Sequence, residues 1–285
     1  MKNRLIHHKN KEIVLSVVRY VLLIVLAIYT LSPILFLFIN SFKSQSEIGS
    51  DPLSMPKVWD FKYILNAFKQ INFVQSILVT FLITIVSVAL IVLVSAFAAW
   101  MMVRNKSKWS SALLLIFVSA MLIPFQSVMY PLIDMADKLN MKNIFGLIIM
   151  YGGFGLSLSV FLYHGFIKSI PKSIEEAALI DGANIFQIFF HVVFPLLKST
   201  TVTVVILNAM WIWNDYLLPF QVLGNSDLKT LTLELYYAKM KTSQFGNPWE
   251  LIFPAVLISI VPIIIVFLCL QKHIVKGISD GAIKS

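Results

Sequence analysis

Six runs of predominantly apolar residues, separated by more polar linkers, dominate the pattern along the chain. Each run has about the 20 residues that a helix needs to cross the hydrocarbon core of a bilayer. The linkers carry helix-breaking or charged residues, such as Pro52 and Pro56 in the first and Lys106 and Lys108 in the second. The pattern predicts an all-α membrane protein with six transmembrane helices, at residues 18–39, 73–99, 111–133, 144–166, 200–220 and 251–271. We see no soluble domain and no convincing internal repeat, and we expect one transmembrane domain over residues 1–285.

Composition strengthens the membrane assignment. Apolar residues make up 58% of the chain and charged residues only 13%, and the mean hydropathy is +0.83. Soluble domains average about a quarter charged residues. Cys269 is the single cysteine, which excludes an internal disulfide, and no Cys/His cluster has the spacing of a metal site.

The net charge of +9 is best explained by membrane orientation. Basic residues are scattered at the ends of the apolar runs instead of forming a stripe, so we expect no nucleic-acid partner. The short linker after the second run carries Arg104, Lys106 and Lys108 and no acid. By the positive-inside rule, this linker, both termini and the linker at 167–199 are predicted to be cytoplasmic.

The linker at 167–199 is too charged to span a membrane and too apolar for an ordinary loop. Ser173 and Glu176 have the spacing of a capping box, which predicts the start of a short helix after Pro171. That helix is expected to end at Asp181–Gly182, because glycine readily adopts the left-handed conformation that terminates helices. A second capping box, Asn184 with Gln187, predicts another, strongly apolar helix that stops at Pro195.

Two interpretations of the first short helix remain open on periodicity alone. The simpler one is an amphipathic helix lying among lipid headgroups. The small residues Ala177 and Ala178 favour instead the close approach of another backbone. The acids Glu175, Glu176 and Asp181 also disfavour contact with an anionic leaflet.

One motif in this linker resembles a known family. Glu176-Ala177-Ala178, three residues, Gly182, nine residues, then Val192, one residue, Phe194 and Pro195 is similar to the EAA loop of binding-protein-dependent ABC importer permeases. Val192 and Phe194 stand where isoleucine and leucine are usual, both conservative differences. The resemblance implies that the first short helix is a coupling helix that docks into a groove of a cytoplasmic ATPase. It makes the following residues candidates for ATPase coupling: Glu175, Glu176, Ala177, Ala178, Asp181, Gly182 and Pro195.

Other segments resemble the carbohydrate importers of the maltose-transporter type. These are residues 95–100 running to Arg104, Ile123-Pro124 with Gln126 and Pro131, Trp213-Asn214-Asp215-Tyr216 with Pro219, and the C-terminal residues 275–284. The resemblance implies that Gly277, Gly281 and Lys284 reach toward the ATPase. Candidates for the translocation path are Gln126, Asn208, Trp213, Asn214 and Asp215.

Each of these candidates has a simpler explanation. Trp211, Trp213 and Tyr216 would suit the aromatic belt of any membrane protein. Asp215 is costly inside a bilayer and usually such a residue faces a bundle or a cavity, so a structural anchor and a pathway residue are equally plausible. Gly152, Gly153 and Gly155 are expected to form a packing surface between helices.

The chain is therefore predicted to be a transport subunit without catalysis of its own. It contains no GxxxxGK[ST] motif, so ATP and magnesium are expected in partner ATPase subunits, with no cofactor bound here. Implied partners are a homologous second permease, two ATPase subunits, an extracellular solute-binding protein and the lipid bilayer. The expected location is a bacterial plasma membrane. The alternatives are an ABC permease for a non-sugar solute and, less favoured because Asp215 is nearly the only intramembrane charge, an ion-coupled secondary transporter.

Overall fold

The computed structural model describes residues 2–224, 226–242 and 247–282, with side chains from Leu15 to Ile265 outside the gaps and their flanks. Within these residues the regular secondary structure consists of helices, which turns and loops connect, and there is no strand. A single π-helical segment, Ile188–Val193, lies between α9 and α10. The helices are α1 Lys2–Asn40, α2 Gln45–Ser50, α3 Lys62–Gln70, α4 Phe73–Arg104, α5 Lys108–Ala120, α6 Phe125–Lys138, α7 Ile144–Ile167, α8 Ser173–Ile180, α9 Ile185–Gln187, α10 Phe194–Leu196, α11 Lys198–Asn214, α12 Leu217–Leu223, α13 Leu231–Thr242 and α14 Trp249–Ala282.

Three of these helices are long and apolar enough to cross a membrane. They are Leu15–Asn40 within α1, then α4 and α7, and they match the predicted runs 18–39, 73–99 and 144–166. The number of spans in the described residues rises to five if each of two bent helix pairs counts as one span. The sixth predicted run, 251–271, lies within α14, and the part of α14 whose side chains the structure describes without a gap, Trp249–Ile265, is apolar. Most of its side chains beyond Ile265 lie outside the described residues.

The predicted run 111–133 is a bent pair instead of one straight helix. The axes of α5 and α6 differ by 104°. Pro124 lacks a backbone N–H and disfavours the helical conformation at Ile123, so the helix cannot continue through this point. Pro131 lies inside α6 without ending it.

The predicted run 200–220 is also divided. Helix α11 ends at Asn214, and Asp215 has an extended backbone with ψ 133°. Its carboxylate Oδ1 accepts a hydrogen bond from the Leu217 N–H at 2.9 Å, which begins α12. This local turn, typical of aspartate, explains why the helix breaks where the apolar pattern continues. At the other end, α11 makes an angle of 79° with the segment Ile185–Leu196.

The helices group into two compact units. The first contains residues 1–71 and 238–261. Inside it, the rings of Phe36 and Phe253 pack edge to face at 5.6 Å, and the Gln45 N–H donates to Glu250 Oε2 at 3.0 Å. The buried Lys43 ammonium donates to the carbonyl of Asp51 at 3.1 Å, so its charge is solvated by backbone dipoles. The prediction of one domain over 1–285 stays a prediction.

The second unit, residues 72–237 and 262–285, is built around the packing of α4 against α7. Small residues allow the two helices to approach closely, as is common in membranes. On α7, a Cβ added to Gly152 would lie 2.8 Å from Leu90 Cδ2, and one added to Gly155 would collide with Ile91 Cδ1. The side chains of Tyr151 and Tyr163 are fully buried in this core. The expectation of a glycine packing surface is confirmed for Gly152 and Gly155. It is wrong for Gly153, which is exposed and where an added Cβ would meet nothing within 4 Å.

Substituting Gly155 should test this packing directly. We expect Gly155→Leu to lower the stability of the chain by about 1–3 kcal/mol, because the new side chain would overpack a filled interface. A Cβ at Gly155 would also lie 2.7 Å from Asn208 Oδ1, whereas one at Gly153 would meet nothing within 4 Å. Gly153→Leu is therefore the matched control. Thermal unfolding in detergent, followed by size-exclusion chromatography, measures both; equal losses in the two variants would contradict the packing role of Gly155.

Candidate functional sites

The start of the short helix α8 differs from the sequence prediction. Its N-cap residue is Lys172, with φ −65° and ψ −28°, and no side chain caps it. The backbone amides of Glu175 and Glu176 both bond to the Lys172 carbonyl at 3.0 Å. Ser173 is already helical and cannot take the extended conformation that a capping residue needs. The predicted capping box of Ser173 with Glu176 is therefore wrong.

Glu175 fixes the inner side of α8 to the end of α4. Its carboxylate accepts hydrogen bonds from Arg104 Nε at 2.9 Å, from Arg104 Nη2 at 2.6 Å and from Trp100 Nε1 at 3.0 Å. Arg104 Nη2 also donates to the Ile170 carbonyl at 3.1 Å. The Arg104 and Glu175 side chains are only 16% and 12% exposed. This bidentate, charge-assisted arrangement is the strongest polar contact in the linker, and we name it the Arg104–Glu175 clamp.

The opposite side of α8 is open. Glu176, Ala177, Ile180 and Asp181 are all exposed, and Ile180 reaches 86%. Ala178, in contrast, packs against the core on the same side as Glu175. The short helix is thus held from one side, and its other side exposes Ile180 beside the carboxylates of Glu176 and Asp181. We call this group the exposed α8 face.

The turn after α8 confirms the predicted role of Gly182. Its φ is +84°, the left-handed conformation that glycine adopts without strain. The Gly182 N–H bonds to the Leu179 carbonyl and the Ala183 N–H to the Ala178 carbonyl, both at 3.0 Å. These two bonds are the Schellman arrangement that ends a helix.

The second capping box is also confirmed. The Gln187 N–H donates to Asn184 Oδ1 at 3.0 Å, and the Asn184 N–H donates to Gln187 Oε1 at 2.8 Å. The chain then continues as a π-helical turn up to Val193, in which the Phe194 N–H reaches back to the Phe189 carbonyl. Pro195 lies within the short helix α10, and the bend follows at Leu197.

The apolar segment after this cap packs on α4. Phe189 is buried, with its ring 5.0 Å from Phe97 and 5.5 Å from Trp100. Trp100 therefore contacts both halves of the linker, because its indole N–H also donates to Glu175. Trp100 and Arg104 were noted in the sequence only as part of a motif, and nothing in the local pattern indicated that they face Glu175.

The structure separates the five predicted path residues into distinct surroundings. Asp215 Oδ2 accepts a hydrogen bond from the Tyr151 hydroxyl at 2.9 Å, and its carbonyl accepts one from Thr232 Oγ1 at 2.7 Å. Trp213 is buried with its ring 4.9 Å from Phe81. These contacts hold Asp215 and Trp213 within the second unit. The place of both residues in a translocation path stays a prediction.

Asn208 is the candidate for the translocation path that lies in the wall of a cavity. A space of about 750 Å³ lies among α5, α6, α7 and α11, and Asn208, Trp211 and Ser157 contribute to its wall. The Asn208 amide donates to Ser159 Oγ at 3.0 Å and to the Val204 carbonyl at 2.8 Å. Methionine and other apolar side chains form most of the remaining wall. Trp211 could have been selected from the sequence as a candidate, because tryptophan is common where a binding surface is partly polar.

The other two path candidates lie apart from this cavity wall. Gln126 is exposed near the start of α6. Asn214 is exposed and donates to the Met210 carbonyl of its own helix at 2.7 Å. Of the predicted ATPase-contacting tail, Gly277 and Gly281 lie on the helical backbone of α14, but their surroundings and Lys284 are outside the described residues.

Comparison with known proteins identifies the class. The fold matches a structure of a bacterial ABC transporter involved in the import of the acidic polysaccharide alginate, with a TM-score of 0.76 and 24% sequence identity over 91% of this chain and 96% of that chain. Residues 91–280 match the family model of the binding-protein-dependent transport system inner membrane component. The chain belongs to this family of membrane-embedded ABC transporter permeases.

Curated relatives extend over almost the whole chain. A probable starch degradation products transport system permease protein, AmyC of Thermoanaerobacterium thermosulfurigenes, is 40% identical over 92% of this chain and 94% of its own length. The multiple sugar-binding transport system permease protein MsmG of Streptococcus mutans is 34% identical over 93% of this chain and 96% of its own. The melibiose/raffinose/stachyose import permease protein MelC of Bacillus subtilis is 34% identical over 88% of this chain and 91% of its own.

Proposed function

We propose that this chain is the membrane subunit through which an ATP-driven importer passes an oligosaccharide delivered by an extracellular binding protein. The observation that carries the proposal is the family membership, together with three named sugar permeases at 34–40% identity over nearly the full chain. Two of these names specify oligosaccharides or starch products, so we propose short glucose- or galactose-containing oligosaccharides as the substrate class.

In this proposal the chain spans the membrane six times, with both termini and α8 in the cytoplasm. The bent pairs α5–α6 and α9–α11 each supply one span, and α14 supplies the last. The concentration of positive charges in the linker between α4 and α5 supports this orientation.

ATP and magnesium are handled by two partner ATPase subunits, and a homologous second permease completes the membrane path. The exposed α8 face docks on an ATPase. When ATP closes the ATPase pair, α8 moves with it, and the Arg104–Glu175 clamp transmits the movement to α4. The packing of Phe189 on Phe97 and Trp100 provides a second, apolar connection to the same helix. Alternating exposure of the path to the two sides of the membrane follows.

Reconstitution tests the proposal. We expect the tagged chain to copurify with an ATPase and a second permease, and this complex in liposomes to take up maltodextrin or raffinose only with ATP and the binding protein. Ile180→Glu should remove the ATPase from the complex, because it places a charge on the exposed α8 face. Leu53→Glu is the matched control, since Leu53 is a similarly exposed apolar residue, 79% accessible, on the predicted outer side.

Two results would contradict the proposal. Uptake of sugar by the purified chain alone, driven by an ion gradient, would indicate a secondary transporter. Uptake of an amino acid or of phosphate by the complete complex, without uptake of any sugar, would indicate an ABC permease for a different solute.

A further inference from the structure

A basic cavity lies at one end of the second unit, separate from the exposed α8 face and from the cavity beside Asn208. It has a volume of about 900 Å³ and is enclosed by the end of α4, the first turns of α5 and the end of α7 with the turn that follows it. Its charged lining consists of Arg104, Lys106, Lys168 and Lys172, and the described lining contains no aspartate or glutamate. His164, Ser107, Ser110 and Ser111 add polar atoms. We call it the basic cavity.

The charges in the basic cavity are not balanced within the chain. Arg104 is neutralised by Glu175 at 2.6 Å. The ammonium groups of Lys106, Lys168 and Lys172 are exposed, and among the described residues no carboxylate lies within ion-pair distance of them. Three like charges around one concave space repel one another, and an anion placed among them would relieve that repulsion.

The hydrogen-bond donors of the cavity suit a phosphate group. Ser107, Ser110 and Ser111, at the start of the 13-residue helix α5, line the cavity. The Ser110 N–H donates to Ser107 Oγ at 3.2 Å and the Ser111 N–H to the Ser107 carbonyl at 3.3 Å, so neither amide is free and this end of α5 contributes its partial charge. The amino end of a helix carries a partial positive charge and favours phosphate. The hydroxyl of Ser111 is exposed at the same place and adds a donor beside the lysines.

Helix lengths place the basic cavity at the level of lipid headgroups. Helix α4 has 32 residues, which at about 1.5 Å per residue is roughly 48 Å, and α7 has 24 residues, or roughly 36 Å. Both exceed the hydrocarbon thickness of about 30 Å, so their ends at Arg104 and Ile167 reach the interfacial layer. Trp109, on the first turn of α5, is 80% exposed, as expected for an interfacial tryptophan.

The apolar surface next to the cavity distinguishes a lipid from a free anion. Leu115 and Ile116, in the middle of α5, are 65% and 63% exposed. Leu115 also lines the basic cavity, so the charged end and the apolar surface are continuous. A free phosphate would use only the charged end, whereas a phospholipid would use both.

We infer that the basic cavity binds the phosphate group of an anionic phospholipid, whose acyl chains lie along the exposed surface of α5. The three lysines supply the charge, Ser111 supplies a hydroxyl donor, and the amino end of α5 adds its partial positive charge. The inference depends on membrane embedding and not on the transported solute, so it can fail or succeed independently of the proposed function.

A lipid-exchange experiment tests the inference. The full-length chain is purified in detergent with the subunits that accompany it, stripped of lipid, and titrated with dioleoyl phosphatidylglycerol or dioleoyl phosphatidylcholine while bound lipid is counted by native mass spectrometry. We expect phosphatidylglycerol to bind at least tenfold more tightly than phosphatidylcholine. The triple variant Lys106→Gln, Lys168→Gln, Lys172→Gln should lose that preference.

The matched control is Lys108→Gln with Lys198→Gln. Both lysines are exposed and on the same predicted side of the membrane, but neither lines the basic cavity.

Equal loss of lipid in the control would indicate general surface attraction and overturn the inference. Displacement of phosphatidylglycerol by millimolar inorganic phosphate would indicate a free-anion site instead. Loss of the ATPase in the triple variant with unchanged lipid binding would make the cavity a protein contact. Restored lipid binding in the variant with arginine at all three positions would support the charge argument and show that the fold tolerates substitution.

Discussion

Replacing Glu175 with alanine should uncouple ATP hydrolysis from transport. The substitution leaves the guanidinium of Arg104 and the indole N–H of Trp100 without their shared carboxylate in a largely buried position. Removing one partner of such a charge-assisted contact costs about 1–3 kcal/mol. Because the clamp joins α8 to α4, we expect sugar carried per ATP hydrolysed to fall at least tenfold. Transport and ATP hydrolysis measured on the same liposomes give this ratio.

A double-mutant cycle separates the clamp from general damage. If Arg104 and Glu175 act together, the decreases in sugar carried per ATP caused by Arg104→Ala and Glu175→Ala will not add in the double variant. The cycle will then give a coupling energy above the roughly 0.5 kcal/mol expected of independent sites. Asp134→Asn is the control, since Asp134 forms an exposed pair with Lys138 at 2.7 Å and such pairs contribute little. Additive losses, or a full ratio of sugar to ATP in Glu175→Ala, would contradict the positioning role of Glu175.

Replacing Gly182 with valine should prevent the importer from assembling with its ATPase. A β-branched residue strongly disfavours φ near +84°, and the left-handed conformation costs an ordinary residue about 1–2 kcal/mol. The Schellman turn would open and the exposed α8 face would lose its orientation. Copurification of the ATPase, compared with wild type at equal amounts of permease, measures the result.

Gly182→Asn is the control for this variant. Asparagine adds a side chain but tolerates the left-handed conformation, and a Cβ at Gly182 would meet nothing within 4 Å of the chain itself. We expect Gly182→Asn to retain most of the ATPase. If asparagine and valine fail equally, the requirement for glycine comes from close approach of the partner and not from the backbone conformation.

Local signals in the sequence predicted local structure well. The Asn184–Gln187 capping box and the left-handed Gly182 depend on hydrogen bonds between residues three to five apart, so their partners are visible in the sequence itself. The prediction for Ser173 was wrong, and the reason also lies in residues that are close together in the sequence. The spacing of Ser173 and Glu176 fits a capping box, but the helix begins one residue earlier and makes Ser173 part of its first turn.

The two bent spans were predicted less well than the straight ones, because the apolar pattern does not report the direction of a helix axis. The runs 111–133 and 200–220 are predominantly apolar from end to end, yet the helices break at Pro124 and Asp215. Pro124 was noted in the sequence as part of a motif, and the 104° between the axes of α5 and α6 is visible only in the tertiary structure.

The sequence by itself determined that this is a helical membrane protein, and its EAA spacing indicated the class of importer, because composition and short-range spacing need no tertiary contact to be read. Only the tertiary structure decided which polar side chains meet. Glu175 accepts a hydrogen bond from Arg104, 71 residues away in the sequence, and Asp215 accepts one from Tyr151, 64 residues away. Such pairs depend on which helices lie side by side and in what register, and spacing along the sequence does not report either.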